Sequence, residues 1–254
     1  MRISRCMVFV AAAITAIVST SATWAADLPA RSYAKAPVFA ASAYDWTGFY
    51  IGLNAGGAAA GTGLTTDPQT FIGTGARDNS DNFKFGVTGG IQGGYNWQVS
   101  PSWVFGIEGD INGLSSRRTT CEINSCFPDV PLSFTSQTNY LATARARIGY
   151  TWDRSMVYVT GGGAFADVSD SFVESGVPGA ASNKVLSGYS VGGGIETALM
   201  SNWSVKAEYL FADVGTNRVL SIVNPISFVN FHHEYQLGRV GLNYRFGGTA
   251  ASRY

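Results

Sequence analysis

Histidine, a common general acid and base near neutral pH, occurs twice in this sequence, as the neighbours His232 and His233 beside Glu234. Adjacent residues of a strand point to opposite faces, so these two imidazoles form neither a chelating pair nor a catalytic dyad. A hydrolase would also need a serine or aspartate partner on the same surface, and the sequence identifies none. We therefore expect no enzyme activity.

Charged side chains form a second candidate set, because they alternate with apolar residues. Glu108 and Asp110 are two positions apart, a spacing that places both carboxylates on one face of a strand. Arg145 and Arg147 have the same spacing, and the guanidinium fork suits bidentate contact with carboxylates. We expect these arginines to pair with the two acids. The complete charge set predicted on this face is Lys84, Glu108, Asp110, Arg145, Arg147, Glu196, Lys206, Glu208, Arg239 and Arg245.

Glycine runs such as Gly161 to Gly163 and Gly192 to Gly194 offer a third candidate. They lack the Lys-Ser/Thr pair of a phosphate-binding loop, and they lie within segments that read as strands. Glycine at such positions permits tight strand curvature. We therefore expect no cofactor.

The N-terminal region has the order of a secretory signal peptide: basic residues at Arg2 and Arg5, an apolar run, and small residues up to Ala25. The apolar run is shorter than the roughly 20 residues of a membrane-spanning helix. An alanine-rich stretch with two prolines follows, without a periodic apolar face. The predicted organisation is a signal peptide over 1–25, a periplasmic linker over 26–45, a folded domain over 46–246 and a C-terminal extension over 247–254.

Two cysteines, Cys121 and Cys126, remain after removal of the signal peptide. In an exported protein, so close a pair is typical of a loop-closing disulfide. Two free thiols or half of a metal site are the alternatives. Neither histidine nor a third cysteine lies nearby to complete a metal shell, so we predict the disulfide and no metal.

Composition narrows the class of protein. Basic and acidic residues number 17 each, a balance that argues against nucleic acid as a partner. Only 13% of residues are charged, and 31 are glycine, which is unusual for a soluble globular domain. No 18-residue apolar run follows the signal peptide, so helical membrane spans are not expected.

Alternating segments of about ten residues repeat along the folded domain, each followed by a turn or polar loop. The stretch from Phe83 to Gln98 is a clear example: apolar residues and glycine alternate with polar residues and glycine, ending in Tyr95 and Trp97. Eight such segments are present. Their connectors alternate between short (99–102, 151–155 and 200–202) and long and polar (58–82, 114–133, 169–183 and 213–231).

A soluble β-barrel would also alternate, so the position of aromatic residues decides between water and membrane. Under this assignment no charged residue falls on the apolar face, where Arg or Lys at mid-bilayer would cost roughly 2–4 kcal/mol. The aromatic residues of that face cluster beside the short turns, as in the interface girdle of a membrane barrel. They are Trp97, Trp103, Tyr150, Trp203, Tyr244 and Phe246.

The predicted fold is therefore all-β: an eight-stranded antiparallel transmembrane β-barrel with up-and-down topology, short periplasmic turns and four longer external loops. Eight strands leave an interior only wide enough for side chains. The charged face must then either form a salt-bridged plug or leave a narrow polar path for water and small ions, since unpaired buried charges are very costly.

Several motifs of this chain resemble those of the opacity-protein-like surface antigens of alphaproteobacteria. They are Asp45 to Gly52, Gly106 to Asp110, Arg145 to Tyr150, Val205 to Tyr209 and Arg239 to Phe246. The resemblance covers nearly all of the chain after the linker and implies a small porin-family or OmpA-like barrel. It also implies a C-terminal aromatic residue recognised by the barrel-assembly machinery, matched by Phe246 and followed by a terminal Tyr254.

These observations predict location in the bacterial outer membrane, with outer-membrane lipid, lipopolysaccharide and the barrel-assembly machinery as partners, and weak homo-oligomers as an option. The expected function is structural: a surface-exposed antigen that supports envelope integrity. The alternatives are a low-conductance porin for small solutes and a haem-binding surface receptor. The last follows from the resemblance, because some relatives have been associated with haem, and His232 or His233 near the mouth could ligate iron.

Overall fold

The alternating segments form strands, because a two-residue period lets a strand bury one face and expose the other. The computed structural model describes residues 44–67, 84–122, 132–174, 177–220 and 228–246. The strands are β1 (Gly48–Asp67), β2 (Lys84–Ser100), β3 (Trp103–Glu122), β4 (Leu132–Trp152), β5 (Ser155–Glu174), β6 (Val177–Ala198), β7 (Trp203–Leu220) and β8 (Phe228–Arg245). Each pairs antiparallel with the next, and β1 pairs with β8 to close a barrel. The predicted all-β class and up-and-down topology are confirmed.

Apolar and polar residues separate between the outside and the inside of the barrel. On β3, Ile107 is 56% exposed whereas its neighbour Glu108 is 4% exposed. This arrangement is the reverse of a soluble barrel, in which the apolar face would be inside. None of the described residues forms a helix long and apolar enough to cross a membrane.

Connections at one end of the barrel, here called the turn end, are short. Only Pro101 and Ser102 separate β2 from β3, and only Asp153 and Arg154 separate β4 from β5. Asp153 adopts a left-handed conformation with φ of 53°, which short polar residues tolerate in tight turns.

The opposite end, here called the loop end, differs from the prediction of long polar loops. β1, β3, β5 and β7 continue as strand well into the predicted loops, and β5 and β6 are separated only by residues 175–176. The wall of the barrel therefore extends beyond the height that the alternating segments predicted. Long strands remain possible here because polar residues also alternate and pair across strands.

Hydrogen-bonded seams end at different heights at the loop end. In the described residues, β2 and β3 pair only as far as Thr88 and Leu114, whereas β3 and β4 pair out to Glu122. The β6–β7 seam ends at Tyr189 and Asp213, while β7 and β8 continue together. The loop end therefore divides into two extensions, β3–β4–β5–β6 and β7–β8–β1.

Inward-facing side chains form four layers along the axis. Tyr44, Trp46 and their apolar neighbours lie at the turn end, followed by a charged layer. An apolar layer that contains Leu141 and Leu237 comes next, and a polar cluster around His233 lies nearest the loop end. The order of inward residues along β8 reproduces the last three layers: Asn243, Arg239, Leu237, Tyr235 and His233.

Candidate functional site

The charged layer centres on Glu108 of β3, which is 4% exposed. Lys206 Nζ, from β7 across the lumen, donates to both carboxylate oxygens at 2.8 Å. Arg145 Nη2 donates to Oε1 at 2.6 Å. The hydroxyl of Tyr50 donates to Oε2 at 2.7 Å. One carboxylate thus joins strands on opposite sides of the barrel.

Arg239 forms the second centre, closer to the loop end. It contacts Asp110 at 3.0 Å and Glu208 at 2.6 Å. Arg145 also reaches both of these acids, at 2.7 Å and 3.0 Å. Asp110 accepts a further hydrogen bond from Thr143 Oγ1 at 2.7 Å. The carboxylates here are bound by several donors each, which is the condition for burying charge at tolerable cost.

Glu196 and Arg147 extend the network toward the turn end. Arg147 Nη2 donates to Glu196 at 2.7 Å, and its other terminal nitrogen lies 3.4 Å from Glu108. Glu196 also accepts from Ser204 at 2.6 Å and from Asn243 at 2.8 Å. The guanidinium carbon of Arg147 lies 4.3 Å from the ring centre of Tyr158, a cation–π distance.

The network is electrically balanced and crosses the lumen. Its four acids and four bases have no excess of either sign, and none of them is more than 7% exposed. In the described part of the chain, these side chains meet one another across the lumen. The members are Glu108, Asp110, Glu196, Glu208, Arg145, Arg147, Lys206 and Arg239.

Two residues of the predicted charge set do not join this network. Lys84 is exposed near the loop end of β2, where β2 no longer pairs with β3. Arg245 is buried at the turn end, but it donates to backbone carbonyls of Asp45, Thr47 and Ser201. The sequence prediction that both would pair with lumen acids is therefore wrong.

Arg245 instead closes the turn end together with Tyr44 and Trp46. Its guanidinium carbon lies 4.6 Å from the ring centre of Tyr44, and Tyr44 packs edge-on against Trp46 at 4.8 Å. Partial burial raises the pKa of the Tyr44 phenol, although the positive charge of Arg245 opposes the shift. The phenol stays protonated and donates to the carbonyl of Ser201 at 3.3 Å.

His232 and His233 lie on opposite sides of the wall. His233 is buried inside the barrel, with Nε2 at 3.0 Å from Asp170 of β5, and Asn217 of β7 donates to the same carboxylate oxygen at 2.8 Å. His232 is exposed outside, 3.6 Å from Asp213. Both histidines lie at the loop end, but the hypothesis that either could ligate haem iron needs correction for His233, which is enclosed against a carboxylate. No group of three or more potential metal ligands occurs in the described residues.

The His233 cluster joins the two extensions of the loop end, which leads to a prediction. Replacing Asp170 by alanine removes the acceptor of two buried donors, a loss of about 1–3 kcal/mol. We expect faster proteolysis at the loop end of the folded protein in vesicles, measured by gel electrophoresis of the fragments. Asp167→Ala, on the outer face of the same strand, is the control and should leave the cleavage rate unchanged. Equal cleavage of both variants would contradict the joining role.

The predicted aromatic residues form a band around the outside of the turn end. Trp97, Trp103, Tyr150, Trp203 and Phe246 are 40–47% exposed, and neighbouring rings touch, as Trp103 and Tyr150 do at 5.5 Å. Tyr244 packs between Trp203 and Phe246, with ring centres 5.1 Å from each. This position fits an interface girdle.

Cys126 lies outside the described residues, so the disulfide stays a prediction.

Two tyrosines outside the predicted charge set are part of the charged layer. Tyr50 bridges Glu108 and Arg147, with oxygen distances of 2.7 and 3.1 Å, and Tyr158 donates to Glu208 at 3.2 Å. Both occur on the polar face of their segments, between exposed apolar residues, and that position was the available signal. Their partners depend on which strands face each other across the lumen.

Gly94 of β2 leaves the space that the Tyr50 ring fills, which gives a second prediction. A Cβ at this position would lie 2.6 Å from the Tyr50 hydroxyl and would also collide with the carbonyl of Ile107. Gly94→Ala should therefore lower the free energy of unfolding by about 1–3 kcal/mol, measured by urea titration in lipid vesicles. Gly57→Ala is the control, because its Cβ would meet nothing closer than 3.9 Å. Equal stability of the two variants would show that Tyr50 does not need this space.

Comparison with known proteins agrees with this architecture. A model of the family described as outer membrane protein beta-barrel domain matches residues 11–246. The chain is 35% identical over 250 residues to the 31 kDa outer-membrane immunogenic protein of Brucella melitensis biotype 1, covering 92% of this chain and 98% of that protein. It is 28% identical over 179 residues to the 22 kDa outer membrane protein of Rhizobium leguminosarum bv. viciae, covering 70% and 68%.

Among solved structures, that of Neisserial surface protein A is similar, with 15% sequence identity, a TM-score of 0.44, and coverage of 79% of this chain and 98% of that one. The Brucella and Rhizobium relatives confirm the resemblance to surface antigens of alphaproteobacteria, and their outer-membrane names confirm the predicted location. The family match begins before β1 and ends at Phe246, the residue that follows β8. The chain therefore belongs to the outer membrane protein β-barrel domain family.

Proposed function

We propose that this protein is a non-conducting structural barrel that supports the envelope and presents a rigid wall at the cell surface. The observation that carries the proposal is the balanced charged layer, in which Arg239, Arg145 and Lys206 reach acids across the lumen. An ion path would require water where these side chains lie. The names of the Brucella relatives as immunogenic proteins support surface display.

Two further layers support a closed barrel. Toward the loop end, the apolar layer with Leu141, Leu210 and Leu237 lines the interior, and an apolar constriction opposes the passage of ions. Toward the turn end, Trp46 and Met156 are at most 2% exposed. In the described part of the protein, these two layers narrow the interior on either side of the charged layer, which is the main barrier to ions in this proposal.

Structural support rather than catalysis fits the chemistry of these residues. The acids of the charged layer are bound by arginine and lysine, so their carboxylates are not available to accept a proton from a substrate as a general base would. In this proposal, the protein acts through its stability in the membrane and through the outward-facing residues of its loop end.

Single-channel recording in a planar bilayer tests the proposal directly. The refolded mature protein should insert without discrete current steps, as verified by recovery of folded protein from the membrane. Reproducible steps whose number rises with the amount of inserted protein would overturn the proposal and favour the low-conductance porin. The same recordings made with an unfolded sample control for detergent leakage.

A further inference from the structure

A row of four inward-facing residues runs around the first half of the barrel, β1 to β4, with one residue on each strand. A tyrosine lies opposite a glycine, the glycine opposite a glutamate and the glutamate opposite an arginine. The tyrosine hydroxyl passes over the glycine and donates to the glutamate at 2.7 Å, and the arginine contacts the same carboxylate at 2.6 Å. The row consists of Tyr50, Gly94, Glu108 and Arg145.

The second half of the barrel, β5 to β8, contains the same row in the same strand order. Its tyrosine hydroxyl donates to the glutamate at 3.2 Å, and its arginine contacts the carboxylate at 2.6 Å. A Cβ on the glycine would lie 3.0 Å from the tyrosine hydroxyl, as against 2.6 Å in the first half. The four residue types and their direct cross-strand register are therefore repeated. The second row consists of Tyr158, Gly194, Glu208 and Arg239.

The aromatic residues outside the barrel repeat with the same spacing. Trp103 lies opposite Tyr150, and Trp203 lies opposite Tyr244. Both pairs are edge-on, with ring centres 5.5 Å and 5.1 Å apart. In each half the tryptophan precedes the glutamate of the row by five residues, and the tyrosine follows the arginine by five. The correspondence therefore includes both faces of the wall.

The two joins between the halves also match. Arg145 lies opposite Gly162 of β5, and Arg239 lies opposite Gly56 of β1. In both cases a Cβ on the glycine would lie 2.7 Å from the Cα of the arginine. Gly162 follows the row tyrosine of β5 by four residues, whereas Gly56 follows that of β1 by six. The halves thus have the same contacts at their joins, with staggers that differ by two residues.

Asp110 is an acid that the second half lacks. It contacts one arginine of each row, Arg145 at 2.7 Å and Arg239 at 3.0 Å. The matching position, also two residues after the glutamate, is Leu210, which faces inward and is 0% exposed. Exchanging the two halves places each of these arginines at the position of the other. A carboxylate at position 210 would therefore meet the same two arginines.

We propose that the barrel is a tandem of two equivalent four-stranded halves, each of which presents to the lumen a surface that fits a second copy of itself. Direct cross-strand register fixes where each inward side chain begins, so matching positions meet matching partners. An acid that is moved from position 110 to position 210 should then keep both of its arginines.

Urea titration of the full-length mature protein in lipid vesicles, followed by tryptophan fluorescence, tests this equivalence. Asp110→Leu removes a partner of two buried arginines and should lower the unfolding midpoint. Combining it with Leu210→Asp restores the acid at the matching position and should recover about half of that shift or more. The control combines Asp110→Leu with Ala212→Asp, which places the acid two positions further along the same buried face. It should recover none of the shift.

A parallel series with Asp110→Asn keeps the shape of the side chain, so the same two second substitutions are compared in a chain with intact packing. Full recovery is not expected, because Thr143, which donates to Asp110, has Leu237 at its matching position. Folding of each variant is checked by its shifted migration in unheated gels. A midpoint that Leu210→Asp fails to raise, or that Ala212→Asp raises equally, would overturn the proposal.

Discussion

Replacing Arg145 and Arg147 together by serine is expected to turn a silent barrel into one that conducts cations. The change removes two guanidinium groups from the centre of the lumen and breaks ion pairs with Glu108, Asp110 and Glu196, among others. The vacated volume admits water, and the remaining acids leave an excess of two negative charges. Rings of acids favour cations in narrow pores.

The measurement is single-channel recording in a planar bilayer, with reversal potentials in a salt gradient to determine ion selectivity. The Arg145→Lys, Arg147→Lys variant keeps the charge but loses the bidentate fork, and it should conduct much less than the serine variant. A serine variant that stays silent while correctly folded would show that the apolar layer alone closes the barrel. Anion selectivity would contradict the role of the remaining acids.

Replacing Glu108 by glutamine is expected to produce the largest loss of stability. The carboxylate contacts Lys206, Arg145 and Arg147, and its removal leaves buried positive charge without compensation. Breaking a buried ion pair from one side costs about 3–5 kcal/mol. Urea titration in lipid vesicles, followed by tryptophan fluorescence, should show a lower midpoint with an unchanged slope.

A double variant distinguishes the effect of unbalanced charge on stability from the effect of altered side-chain packing. Glu108→Gln combined with Lys206→Met restores balance, and we expect it to recover about 1–3 kcal/mol relative to the sum of the two single variants. Lys84→Gln is the control for loss of a charge, since Lys84 is exposed and surface changes stay within about 0.5 kcal/mol. A loss below about 1 kcal/mol for Glu108→Gln would mean that the layer contributes little to stability.

The sequence predicted the wall of the barrel well because alternation is a local property. Exposed Ile107 beside buried Glu108, and the aromatic band with Trp103 and Tyr150, follow from a two-residue period and from the cost of charge in lipid. Closure between β1 and β8 follows from the even number of segments and from the instability of a free edge in the membrane.

Contacts across the lumen were less predictable, since they depend on which strands face each other. The pairing of Arg145 with Glu108 and Asp110 followed from spacing on adjacent strands, whereas that of Lys206 with Glu108 joins β7 to β3. Arg245 is a residue whose inward orientation could be predicted from alternation but whose partners could not. It alternates correctly and points inward, but it lies below the acids and binds backbone carbonyls instead.

The structure of the loop end could not be predicted from alternation of apolar and polar residues alone. Polar residues near His232 and Arg218 read as loop in the sequence, yet they continue β8 and β7 as paired strands. A strand outside the membrane does not need an apolar face, so its sequence signal is weak. The enclosure of His233 against Asp170 depends on which strands face each other across the interior, here β8 and β5, and local alternation carries no information about that.

The balance of the charged layer has a consequence for how the chain enters the membrane. The β3–β4 hairpin contains two acids and two bases of the layer, and β6, β7 and β8 together contain the other two acids and two bases. Each half is therefore neutral before the two meet. An intermediate that has inserted only one half of the strands therefore carries equal numbers of acids and bases into the bilayer. Its charges are balanced before the barrel closes, so it avoids the cost of unbalanced charge in lipid.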